Sequence, residues 1–130
     1  MADSNLQGVG PMSFKAGGTI VKNRLVKQDT SQAKAVVQSA AGTDRHWGVA
    51  LEAGASGNQI PVQTFGMAKA EASAAISIGA QVTSDGSGRV VTVATGDTPI
   101  GVALEAAGAT GDVIAVLLHG GPNLTGPTTP

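Results

Sequence analysis

The stretch Gly48-Val49-Ala50-Leu51-Glu52-Ala53 returns letter for letter as Gly101-Val102-Ala103-Leu104-Glu105-Ala106, and the chain can be laid out around the two copies. The likeness extends past the hexapeptide. Gly54-Ala55-Ser56-Gly57 is answered by Gly108-Ala109-Thr110-Gly111, Ile60 and Val62 by Ile114 and Val116, and Gly66 by Gly120. Upstream, Val36-Val37, Gly42 and Asp44 stand where Val90-Val91, Gly96 and Asp97 stand. A period of about 53 residues is long enough for a supersecondary unit and too short for a comfortable core, so the halves are expected to share one.

Working outward, alternation marks the copies as strands. Trp47, Val49 and Leu51 point one way, taken as inward, and Gly48, Ala50 and Glu52 the other; Ile100, Val102 and Leu104 repeat the inward face. Thr19 to Lys27 reads as a strand, with Lys34 to Ser39 as its hairpin partner across a turn at Gln28 to Ser31. Ile60 to Phe65 is another, expected to lie on an edge or to open its pairing at Pro61, which has no amide to donate. Ile76 to Thr83 and Arg89 to Ala94 flank an Asp85-Gly86 turn, the strongest hairpin signal present. Val113 to Leu118 closes the second half. Met67 to Ala75 is alanine-rich and has the only real helix propensity, so one short helix, or a turn plus strand, is expected there.

Eight short strands with at most one short helix indicate an all-β fold, a small barrel or β-sandwich of tulip-like shape built from two similar half-repeats. The expected organisation is an extended N-terminal arm over residues 1–18 and a single β domain over 19–121, with half-repeats at about 19–66 and 75–120. Residues 122–130, rich in Pro, Gly and Thr, form a flexible C-terminal tail. The arm carries Leu6, Val9, Met12 and Phe14, which a merely solvated segment would not need; ordering against a neighbour would use them.

Composition narrows the function. The apolar residues are mostly Ala and Val, and Phe14, Trp47 and Phe65 are the only aromatics, so the core is thin and self-association is a natural supplement. A formal charge of −1 gives no overall attraction to nucleic acid or an acidic membrane surface. Lys15, Lys22, Arg24, Lys27, Lys34 and Arg45 nevertheless make the first half basic, and acidic residues dominate from residue 46 onward. Such a dipole would orient copies head to tail or select one face of a partner. No cysteine is present, which excludes disulfides and thiolate chemistry. The start lacks the basic and apolar regions of a signal peptide, so a soluble, non-secreted protein is expected.

Catalytic constellations are sparse. Glu52 and Glu105 occupy equivalent places, and a pseudo-twofold axis would bring two carboxylates together; the plainer reading makes each the solvent-side residue of its strand. His46 and His119 are not equivalent and lack zinc-ligand spacing. No nucleophile elbow or phosphate-binding loop occurs. The expectation is a protein that is not an enzyme and uses no metal or cofactor.

Read whole, the second half resembles a known family. Gly66-Met67-Ala68-Lys69-Ala70, Ile78-Gly79-Ala80-Gln81-Val82, Asp85-Gly86, Val90-Val91-Thr92, Gly96-Asp97-Thr98 and Ile100 to Ala107 are similar in order to the tailed-bacteriophage capsid decoration, or cement, proteins. That resemblance implies a structural protein on the outer surface of the capsid of the virion, made in the host cytoplasm. Its implied partner is the major capsid protein, whose contacts it staples, and homo-oligomers are implied, trimers being favoured. On this reading Leu6, Val9, Met12 and Phe14 are capsid contacts of the arm. Trp47 is either the largest core residue or an interface anchor. Two alternatives stand beside it. One is a tail- or fibre-associated host-binding module, disfavoured for sugars by the three aromatics. The other is a biotinyl or lipoyl carrier, to which Met67-Ala68-Lys69-Ala70 has a superficial similarity.

Overall fold

Gly48 and Gly101, the first letters of the repeated hexapeptide, sit where two strands approach most closely. A Cβ at Gly48 would lie 2.1 Å from the carbonyl oxygen of Gln63, and one at Gly101 2.1 Å from that of Leu117. Only glycine permits this pairing, and it recurs because the strand arrangement around it recurs. The computed structural model describes residues 11–118.

The described chain is all-β: β1 (Met12–Ala16), β2 (Leu25–Gln28), β3 (Ala35–Gln38), β4 (His46–Ala50), β5 (Gln59–Gln63), β6 (Gly66–Glu71), β7 (Gln81–Ser84), β8 (Val90–Thr92), β9 (Gly101–Ala103) and β10 (Val113–Leu118). The first five close into a barrel of order β1-β3-β2-β4-β5. The last five form a sheet of order β6-β10-β9-β7-β8, whose outer strands meet only through a bridge between Ala72 and Val90.

The two units pair position by position. Val26 lies opposite Gly48 and Gln38, and Val82 opposite Gly101 and Thr92. Ala50 faces Val62 as Ala103 faces Val116, and Phe14 faces Ile60 as Ala70 faces Ile114. Ile20 and Gly54 exchange two backbone hydrogen bonds, as do Ile76 and Ala107. Before β2 and β7 the chain turns through a left-handed residue, Asn23 (φ 66°) and Gly79 (φ 88°), which donate to the carbonyls of Ala50 and Ala103. Asparagine and glycine are the residues that tolerate this conformation.

Three expectations are corrected by these pairings, and one left open is decided. Met12–Ala16 is a barrel strand, antiparallel to β5 and parallel to β3, so the expected arm reaches at most to residue 11. Of the two alternatives for the alanine-rich linker the strand is the one found: Gly66–Glu71 is β6, held along its length by β10, whose pairing overrides local propensity. Strand β5 is not an edge; it lies between β4 and β1, and the Pro61 carbonyl accepts the Leu51 N–H. The inward face of the hexapeptide is also reversed. Ala50 and Ala103 face the interiors of their units, while Val49 and Leu104 lie outside them.

That reversal follows from size. Five strands enclose little space, which Ala fills and which Val or Leu on every strand would overfill. Trp47 escapes the alternation through a bulge, since β2 pairs Lys27 with His46 and Val26 with Gly48, leaving Trp47 the extra residue. Trp47 thereby packs, half-buried, against the barrel core of Ala16, Ile20, Val26, Val36, Ala50, Ile60 and Val62.

Candidate functional site

Leu25 and Val49, adjacent across β2 and β4, leave the barrel on its outer side and are fully buried in the core of the second unit. There they pack with Ala70, Val82, Val90, Ile100 and Val116. The second unit is thus completed by side chains of the first, each fully buried large aliphatic contributing about 1.5–3 kcal/mol.

Polar contacts fasten the same joint. Glu71 on β6 accepts the Nε–H of Arg24 at 3.1 Å on one oxygen and that of Arg89 at 3.0 Å on the other. Arg24 also donates to the Ser87 carbonyl, and the Leu25 N–H to the Gly88 carbonyl. On the other side lies His46, 1 % exposed, with Nδ1 3.0 Å from Ser39 Oγ and Nε2 3.0 Å from Thr83 Oγ1. Thr83 Oγ1 lies within 2.9 Å of the Gly42 carbonyl and 2.8 Å of the Thr98 carbonyl. Thr83 has one proton, and with two carbonyls beside it that proton goes to one of them, so Thr83 accepts from His46 Nε2–H; in the neutral ring Ser39 then donates to Nδ1. Burial holds the His46 pKa below its ordinary value, against the opposing pull of Asp44 and Asp97. Asp44 itself is kept below the ordinary carboxylate value: burial pushes it up, but the N–H groups of Ala40 and Ala41 and the Lys27 ammonium at 3.1 Å outweigh that.

This geometry is a joint between the two units. Among the described residues no buried side-chain nitrogen or oxygen lacks a partner, and no group of three His, Asp or Glu is placed to hold a metal ion. Glu52 and Glu105 are both exposed; Glu105 accepts the Ala115 N–H and pairs with Lys69 at 3.7 Å. Lys69 lies in the middle of β6 and not at a hairpin tip, so the carrier-domain similarity does not extend to the structure.

Of the arm residues, Leu6 and Val9 lie outside the described residues. Met12 is 47 % exposed at the start of β1. Phe14 packs on the barrel core, its ring centroid 5.5 Å from that of Trp47. Trp47 is half-buried over the same core.

Sequence reasoning did not single out the outer surface of the second unit. Met67, Leu117 and Val102 are directly opposite one another across β6, β10 and β9, so they share one face; Met67 is 63 % and Leu117 43 % exposed. Leu104 and Ile78 add further exposed apolar surface. The signal was available in the alternation of β10, where Val113, Ala115 and Leu117 oppose Ile114, Val116 and Leu118.

The described residues thus form a two-unit β body joined by buried contacts and carrying exposed apolar surface. Residues 5–118 match the family model of phage cement proteins, and the chain belongs to that family. Among solved structures it is similar to the N base of the head fiber gp8.5 of bacteriophage phi29, with a TM-score of 0.68 and 18 % identity over 87 % of this chain and 96 % of that one. That likeness shows the shared fold. No curated protein matches the sequence.

Proposed function

We propose that the protein decorates the outer surface of an assembled phage head, binding the major capsid protein and stabilising the contacts between neighbouring capsid subunits. Membership of the cement family carries this reading. The physical argument is linkage: a protein that binds the closed shell and not its free subunits shifts the assembly equilibrium toward the shell. A body without a reaction centre among its described residues fits a non-enzymatic role. Self-association, with a trimer favoured, belongs to the same proposal, because a core of Ala and Val leaves apolar surface over.

Contacts with the shell are assigned to the N-terminal segment, through Leu6, Val9 and the exposed side of Met12, with Phe14 and Trp47 supporting Met12's strand from beneath. Truncation tests this. Deleting residues 2–10 leaves β1 intact, so the thermal midpoint is expected to stay unchanged while affinity for heads falls. Deleting 2–14 removes most of β1 and is expected to lower the midpoint as well. Equal head binding by the 2–10 deletion and the full chain would remove the segment from the mechanism. A host-binding role is the second reading; the likeness to a head fiber base is compatible with it and does not favour it.

A further inference from the structure

The matching ladder positions of the two units, Val26 with Val82, Gly48 with Gly101 and Val62 with Val116, allow their outer faces to be compared. In the barrel, the pair Leu25–Val49 is covered completely by the second unit. Its counterpart in the second unit is the pair Gln81–Val102, continued by Leu117 and Met67; Val102 is half-buried, and no other described residue covers Met67 and Leu117 in the way the second unit covers Leu25 and Val49. Among the described residues the same face is therefore buried once and left largely open once.

Charge separates the units in the same direction. Residues 12–63 carry six lysines and arginines against three carboxylates, and residues 66–118 carry two against five, giving +3 and −3. The open face belongs to the acidic unit.

We infer that the Met67–Leu117–Val102 face of the second unit is a self-association surface, and that its occupant is the basic barrel unit of a second copy of this chain. Three observations bear on this choice. The chain itself shows a neighbouring unit covering this face where a neighbour exists. The opposite net charges favour a barrel over another acidic unit. Stacked units that cannot bury their apolar faces alone bury them against the next unit in line. The contact is head-to-tail, so it closes into a ring when the rotation between copies allows, which is the form a symmetric oligomer requires. The inference rests on the self-association proposed above.

Sedimentation and crosslinking test it together. Gln63 stands in the barrel where Leu117 stands in the second unit, since they face Val49 and Val102 respectively, so Leu117→Gln uses a residue this fold already accepts there. Met67→Gln with Leu117→Gln is expected to weaken self-association about tenfold or more, with an unchanged thermal midpoint at dilutions where the wild type is dissociated. Crosslinking an equal mixture of isotopically light and heavy wild-type protein through lysines needs no variant. It is expected to join Lys69, 61 % exposed in its side chain, to barrel lysines such as Lys15, Lys22 or Lys34 of the other isotope. Links between copies that join Lys69 only to Lys69 would overturn the barrel as occupant, as would a double variant that stays associated. A double variant that associates normally but no longer binds heads would make the capsid the occupant and overturn the inference. A wild type that is monomeric at every concentration would overturn the self-association reading itself.

Discussion

Burial disfavours the imidazolium of His46, whose two ring nitrogens are engaged by the hydroxyls of Thr83 and Ser39. With the folded pKa below the ordinary 6.5, the unfolded chain takes up a proton first on acidification. Stability is therefore full above that value and is lost as pH falls through the lower folded pKa. Thermal melts between pH 8 and 5 are expected to show a falling midpoint for the wild type and a smaller fall for His46→Gln. Thr83→Val keeps the shape but removes the buried hydroxyl that links His46 to the Gly42 and Thr98 carbonyls, an expected loss of about 1–3 kcal/mol in denaturant melts at pH 8. Gly48→Ala and Gly101→Ala put a methyl 2.1 Å from a backbone carbonyl, and each is expected to cost at least about 1–3 kcal/mol. Wild-type stability in either would refute the close approach. Alternation in the sequence showed that these positions lie on strands. It did not show which face is the inside, because Val49 and Ala50 are both buried, one between units and one within a barrel.

At the scale of elements, the strands with strong local signals are where the residues place them. The Asp85-Gly86 turn does join β7 to β8, with Asp85 accepting the Ser87 and Arg89 N–H groups. The strand not expected and the strand left undecided share a cause. Met12–Ala16 is surrounded by glycine and proline, and Gly66–Glu71 alternates Ala with Met, Lys and Glu; each becomes a strand only because a distant partner, β5 or β10, offers a ladder. Long-range pairing of that kind leaves little trace in a local window. The element with most consequence is β2, since Val26 fills the barrel and Leu25 fills its neighbour. Leu25→Ala is expected to cost about 2–5 kcal/mol and to lower the melting of both units in one cooperative transition. Two separated calorimetric transitions would show that the units fold independently.

For the whole molecule, the repeated hexapeptide was legible as a sign of two similar halves sharing a core, and the shared part proves to be a joint rather than a single interior. The family was legible through the order of motifs, which agrees with the cement family match. The exposed apolar face was not, because exposure depends on which copy of the unit has a neighbour. If the molecule works as proposed, its bound state is the assembled shell. The most direct test mixes purified protein with mature heads lacking it and with unassembled capsid subunits, then counts bound copies by electron microscopy and cosedimentation. The account predicts saturable density at symmetry-related sites on the outer surface of heads and no binding to free subunits. Folded protein that leaves the heads bare, or that binds free subunits equally well, would contradict it.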